Sequence, residues 1–160
     1  MPAINAKIIG GENIEKALLN AFEKWTKEDI NEKFWETQFR RKDWPYESTN
    51  EGLTIRENPS AFIPEAGSLR DIYDYGDLMQ SGIKSYQYES SSDSGTAHWH
   101  WDATNSTGNE YAAYVHNGTR LMSGRPFTDR ISDAKFSFRL PIGKALLDRM
   151  RLALDGLHAN

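Results

Sequence analysis

The sequence contains no cysteine among its 160 residues. Disulfide bonds and thiolate catalysis are therefore excluded, and the chain is compatible with a reducing compartment. It also lacks any apolar run close to the roughly 20 residues that a transmembrane helix needs, and its N-terminal residues lack the charged and apolar regions of a signal peptide. We therefore expect a protein that is made in the cytoplasm and does not use a membrane.

An excess of positive charge is absent as well. The chain carries 23 acidic and 19 basic residues, for a formal net charge of -4. A protein that holds nucleic acid by neutralising phosphates over its whole surface would be basic. This charge does not exclude a position close to DNA.

The residues that are present describe a folded protein with a polar exterior. Charged residues make up 26% of the chain and aromatic residues 12%, which is typical of globular rather than disordered sequences. A chain of this length buries about 70% of its unfolded surface, so it has a core of its own. We expect residues 1–160 to form a single domain.

The periodicity of apolar residues predicts an α+β fold. Ile14, Leu18, Phe22 and Trp25 recur at helical spacing within a predicted helix over residues 12–41, bent or broken near Thr26 and ended by Trp44-Pro45. Alternation predicts strands at 83–88 and 96–104, paired as an antiparallel hairpin, and a further strand at 131–138.

Pro141 opens a final amphipathic helix. The expected architecture is a small antiparallel sheet packed against long N-terminal and C-terminal helices, with a long extended loop or arm at residues 46–67.

The predicted second strand carries the residues that most resemble a chemical site. Alternation places His98, His100 and Asp102 on one face, where two imidazoles and a carboxylate could ligate zinc, and Trp99 and Trp101 on the other. The tryptophans could stack on sugars or bases, or pack in the core. Without a further ligand at a suitable spacing, we favour surface histidines and core tryptophans.

Three carboxylates recur upstream at Asp71, Asp74 and Asp77. Calcium loops need a tighter alternation of oxygen ligands and a later bidentate glutamate, which this segment lacks. We interpret Asp74, Gly76, Asp77 and Leu78 as a structural turn, in which Asp74 bonds nearby backbone amides and Asp77 caps a short turn.

The segment from Asn109 to Phe127 is the most informative part of the chain. It offers a short aromatic and alanine-rich helical turn, a glycine stop, and a rigid Arg125-Pro126-Phe127 in which a cation and a ring project in a fixed relation. It lacks a nucleophile with a base and a phosphate-binding loop. We therefore expect an assembly element and no enzyme, catalytic residue, cofactor or metal. The candidate subunit-interface residues are Tyr111, Tyr114, His116, Gly118, Thr119, Arg125, Pro126 and Phe127.

Phe127 is predicted to be buried within its own subunit or against the next one. Arg125 could serve an interface, or could brace its own subunit through a carboxylate such as Asp74 or Asp77.

The order Tyr-Ala-x-Tyr-Val-x-x-Gly-Thr, followed by Arg-Pro-Phe, resembles the neck or tail-completion proteins of long-tailed bacteriophages, a group that includes the Mu-type virion morphogenesis proteins. Upstream, the segment from Arg70 to Ser81 is similar to that family's Asp-Thr-Gly-x-Leu-x-x-Ser segment. With the N-terminal helix, the resemblance covers roughly residues 12–130.

The resemblance implies a structural virion protein, made in the host cytoplasm, that forms a hexameric or dodecameric ring at the head–tail junction. Its partners would be further copies of itself, the adjoining connector and tail proteins, and DNA that passes through the lumen without sequence-specific binding. Two alternatives come from the residues themselves. One is a carbohydrate- or nucleic-acid-binding module that uses the hairpin aromatics, and the other is a small metal-dependent hydrolase.

Overall fold

A computed structural model describes residues 3–45, 68–105, 107–119, 122–129 and 141–158. The fold is mixed helix and strand, as expected, and contains a small three-stranded antiparallel sheet. Backbone contacts divide the chain into two compact units. The first unit comprises Met1–Phe34, Ser85–His100 and Asp129–Asn160, and the second comprises Trp35–Lys84 and Trp101–Thr128. Both units are discontinuous in sequence.

The helices and strands follow one another as β1 (Ala3–Lys7), α1 (Glu12–Lys24), a π-helix (Trp25–Phe34), α2 (Trp35–Arg40), β2 (Trp44–Pro45), β3 (Leu69–Arg70), α3 (Asp77–Lys84), β4 (Gln87–Ser90), β5 (Ser94–His98), α4 (Ala112–Asn117), β6 (Gly118–Thr119), β7 (Met122–Ser123) and α5 (Pro141–His158).

The predicted N-terminal helix is present and changes character where a break was expected. The α-helical turns of α1 end at Lys24 and wider π turns follow. The hydroxyl of Thr26 donates to the carbonyl oxygen of Glu23 at 2.9 Å, and the hydroxyl oxygen of Tyr86 lies 2.8 Å from the hydroxyl oxygen of Thr26. A side-chain bond back to the preceding turn competes with regular helix geometry. The helical run ends at Arg40, before the Trp44-Pro45 pair that was expected to stop it.

The sheet of the first unit has the order β1-β5-β4, with both pairs antiparallel. Ile4 and Ala97 are buried on one face, where the hydroxyl of Tyr88 donates to the carbonyl oxygen of Leu19 in α1 at 3.4 Å. The opposite face presents polar residues such as Glu89 to solvent. One covered and one solvated face is the usual state of a small antiparallel sheet.

The predicted hairpin is confirmed, but its strands are shorter than expected. Ile83 lies in α3 rather than in a strand, because Leu78, Met79 and Gly82 form a buried helical face over that stretch. The second strand ends at His98 instead of continuing to residue 104. The central position of β5 also depends on β1, which sequence alternation did not reveal because Ala3–Lys7 contains a single large apolar residue.

The C-terminal helix α5 begins at Pro141 as predicted and packs on α1 and on the π-helix. The indole nitrogen of Trp25 donates to the carbonyl oxygen of Ile142 at 2.8 Å. Arg149 donates through Nε to Asp29 at 2.6 Å and through a terminal nitrogen to Glu28. These attachments hold the N-terminal half of the helix. The predicted arm at 46–67 and the predicted strand at 131–138 lie outside the described residues.

The stability of the first unit should fall in strong alkali through Tyr88. Burial raises the pKa of this phenol from 10.0 to about 12, with smaller contributions from Glu23 and Tyr86. Because the folded pKa lies above the unfolded one, the contribution of Tyr88 is complete below pH 10 and is lost as the pH rises towards 12. Tyr88→Phe keeps the ring against Phe22 and removes the titrating group. Its free energy of unfolding should therefore fall less between these pH values than that of the wild type; an equal fall in both proteins would contradict this assignment.

Candidate assembly site

The helix of the candidate site, α4, ends at a glycine as the sequence predicted. The amide of Val115 donates to the carbonyl oxygen of Tyr111 at 3.0 Å, and Ala112, the first residue of the helix, is buried. Gly118 then adopts φ 82°, a backbone conformation that residues with a side chain rarely take. The chain turns there into the short β6–β7 hairpin.

The segment that follows β7 lies directly against α4. A Cβ atom on Gly124 would stand 2.8 Å from the backbone carbonyl of Asn117, so no larger residue fits without movement. The amide of Arg125 donates to the carbonyl oxygen of Val115 at 2.8 Å. This close approach fixes Arg125-Pro126-Phe127 against the helix, and the sequence alone did not single out Gly124.

Phe127 is buried within its own subunit, which is one of the two positions expected for it. Its ring is 1% exposed and lies 5.1 Å from the ring of Phe39, 5.5 Å from that of Trp101 and 5.3 Å from that of His116. Arg125 is also buried, whereas Pro126 between them is exposed. The aromatic ring of this motif therefore stabilises the second unit itself.

His116 joins the end of α4 to the residue that follows Phe127. Its Nε2 atom lies 2.6 Å from the hydroxyl oxygen of Thr128, and its Nδ1 atom lies 3.0 Å from the side-chain oxygen of Asn117. The half-buried imidazole therefore contacts three residues, Thr128, Asn117 and, edge-on, the ring of Phe127. It acts as a brace that keeps the motif in one geometry.

Tyr114 is the large side chain of the motif that faces outward. It is 58% exposed on α4. Thr119 and Pro126 are also exposed, while Tyr111 and Gly118 are half-buried. A tyrosine presents a large contact area and loses little conformational entropy when it is immobilised. Of the candidate interface residues, Tyr114 is therefore the one best suited to contact a neighbour.

The predicted turn around Gly76 is also present in the second unit. Gly76 has φ 96°, and a Cβ atom there would approach the hydroxyl of Tyr73 to 2.8 Å. Asp77 is exposed and begins α3, while Leu78 is buried. The segment after Asp77 was predicted to be a short turn and is instead a helix to Lys84, since its apolar residues recur at helical spacing. Asp74 is half-buried.

The residues of the predicted strand are arranged as core and surface. His98 is half-buried, whereas His100 and Asp102 are exposed. Within the ranges that the structure describes, no three histidine, aspartate or glutamate side chains converge into a metal-binding group. Trp99 is fully buried, and its indole nitrogen donates to the side-chain oxygen of Asn31 at 3.0 Å.

Trp101 is buried in the second unit, edge-on to Trp35 at 5.0 Å. The prediction of core tryptophans is thus confirmed for both residues. Neither indole has an exposed face on which a sugar or a base could stack.

Comparisons with protein-family models, with curated proteins and with solved structures give no significant match to this chain. Among the described residues, no helix is both long enough and apolar enough to cross a membrane.

Proposed function

We propose that this chain is a structural virion protein that forms a ring at the head–tail junction of a long-tailed phage. The observation that supports the proposal most directly is the placement of the two segments that resemble the family's motifs. Both lie in the second unit, and there the Tyr111 motif is braced from within while Tyr114 projects outward. A rigid scaffold that presents an exposed aromatic residue such as Tyr114 suits a contact made repeatedly in an assembly.

In the proposed ring, identical subunits associate head to tail, because heterologous contacts close into rings when the rotation between subunits permits it. Tyr114, Thr119 and Pro126 would meet the neighbouring subunit. Arg125 and Phe127 would act through the shape they give to the motif rather than through direct contact. Residues 46–67 would serve as an arm towards neighbouring subunits or the adjoining connector and tail proteins, since their prolines and glycines and their lack of an apolar pattern suit contacts better than a core.

The charge of the chain agrees with a channel lining. A formal net charge of -4 per subunit is multiplied in a ring. Like charge on the wall and on the DNA disfavours adhesion, so the duplex would pass without sequence-specific binding. The proposed subunit performs no chemistry and works by geometry.

The proposal can be tested by disrupting the gene in the phage and complementing it with variants. Without the protein, lysates should contain filled or leaking heads and separate tails. Tyr114→Ser removes an aromatic side chain that is 58% exposed, so the subunit should fold normally by circular dichroism. Its contact with the neighbour should weaken by about tenfold or more, and the yield of joined particles should fall.

Leu152→Ser is the matched control. Leu152 is 71% exposed on α5 and lies outside both motif segments, so the variant should complement fully. Normal joined virions with Tyr114→Ser would remove the motif from the interface. Normal virions in the absence of the protein would contradict the proposed function altogether.

A further inference from the structure

The three-stranded sheet of the first unit has two edges of similar length. Within the part of the chain that the structure describes, β1 and β4 each pair only with β5. Among the described residues, the backbone donors and acceptors on the outer side of each of these strands have no strand partner, and such rows readily pair with another strand. β1 has five residues and β4 has four, so the two edges match in extent.

The strand directions of these edges suit a repeating contact between copies. Because β1 and β4 both run antiparallel to β5, they run parallel to each other. A rotation about an axis along the strands preserves strand direction and keeps the polar face of the sheet on one side. The β1 edge of one copy can then meet the β4 edge of the next as a parallel pair, which is the head-to-tail contact of a closed ring.

The side chains at these edges are complementary in charge. Lys7 near the end of β1 and Glu89 in β4 are both exposed on the polar face. If Ala6 lies beside Tyr88 of the next copy, Lys7 lies beside its Glu89 and Asn5 beside its Gln87. Within its own subunit Lys7 reaches Asp93 only at 3.9 Å, and the two side chains are 72% and 43% exposed, so this pair offers weak competition.

Ile9 follows the same edge and is 90% exposed. Ile9 lies two residues after Lys7, so in the register that pairs Lys7 with Glu89 it lies beside Ser91 of the next copy. The Ile9 side chain, which is exposed to water in the single subunit, would be covered by the neighbouring copy. The same occupant of the β1 edge, the β4 edge of a second copy, is indicated by charge, strand length, strand direction and Ile9.

We propose that the β1 edge binds the β4 edge of a second copy of this chain, extending the sheet from one subunit to the next. The significance of this contact for a virion ring rests on the proposed function, but the self-association itself does not. It involves the first unit and is separate from the contact assigned to Tyr114 in the second.

Charge reversal tests the pairing in solution. Glu89→Lys places two cations side by side, and Lys7→Glu places two anions, so each variant should self-associate about fivefold more weakly than the wild type in sedimentation equilibrium. The double variant Lys7→Glu with Glu89→Lys restores opposite charges and should return to within about twofold of the wild-type association constant. Failure of the double variant to recover would overturn the pairing.

Two further variants distinguish attraction from repulsion at the edge. Lysines on edge strands can also prevent pairing, in which case Lys7→Ala would strengthen self-association and the proposal would be wrong. Ile9→Ser should weaken association by about fivefold without affecting folding, since the residue is already in water in the single subunit. Leu152→Ser, at another exposed position, should leave association unchanged.

Hydrogen exchange locates the contact. Amides in β1 and β4 that exchange rapidly at low protein concentration should gain protection as oligomers form, whereas α4 should not change through this contact alone. A wild type that stays monomeric at every concentration, or oligomers whose β1 and β4 amides gain no protection, would overturn the inference. If the virion neck contains the protein but the β1 and β4 edges of neighbouring copies do not pair, the pairing is wrong and the proposed function stands. If the edges pair in solution but the protein is absent from virions, the pairing stands and the proposed function is wrong.

Discussion

Phe127→Ala is expected to lower the free energy of unfolding by about 3–5 kcal/mol, the usual cost of removing a fully buried aromatic ring. The ring is 1% exposed and contacts Phe39, Trp101 and His116. Its loss leaves a cavity at the meeting point of α2, α4 and the chain that returns along α4. Urea denaturation followed by tryptophan fluorescence measures the change directly.

Tyr114→Ala provides the control for this measurement, because it truncates an aromatic residue of the same motif that is 58% exposed. Its free energy of unfolding should stay within about 0.5 kcal/mol of the wild type. Equal stability of Phe127→Ala and the wild type would show that the aromatic cluster does not hold the second unit together. Because Phe127 is buried, its truncation tests the fold of the subunit, and the assembly contact is tested at Tyr114.

Gly82→Ala is expected to destabilise the protein by about 3 kcal/mol, at the upper end of the range for overpacked sites. A Cβ atom at this position would lie 2.2 Å from the Cε2 and Nε1 atoms of Trp101. The indole is buried and also packs edge-on against Trp35, so it cannot move aside without disturbing other rings. Thermal unfolding should show a clearly lower midpoint.

Gly156→Ala is the matched control, since Gly156 is helical and exposed in α5 and has no neighbouring atom within 4 Å of an added Cβ. This variant should be neutral or up to about 1 kcal/mol more stable, because alanine favours the helix. A Gly82→Ala protein as stable as the wild type would show that α3 and the indole are not packed this closely.

The sequence predicted secondary structure best where the periodicity of apolar residues agrees with the prolines and glycines that begin or end an element. The apolar period of α1, the start of α5 at Pro141 and the glycine stop at Gly118 depend on local chemistry, so their positions could be inferred. The core positions of Trp99 and Trp101 followed from alternation even though the strand ends before them.

The features that the sequence did not reveal depend on contacts between distant residues. β1 gains its stability from pairing with β5, which is distant in sequence, since Ala3 pairs with His98. The buried face of α3, to which Ile83 belongs, lies at Gly82 against Trp101, and the sequence did not show that contact. In the candidate site, the glycine stop and the aromatic residues were identified, whereas the separation into buried Phe127 and exposed Tyr114 required the tertiary structure.

A symmetry-resolved image of the virion neck tests the proposed function most directly. We expect a closed ring of copies of this chain between the head connector and the tail, with an axial channel wide enough for duplex DNA and with Tyr114 at the boundary between neighbouring copies. A neck built without this protein would contradict the proposed function. A ring whose copies meet through neither the Tyr114 motif nor the β1 and β4 edges would contradict the proposed contacts.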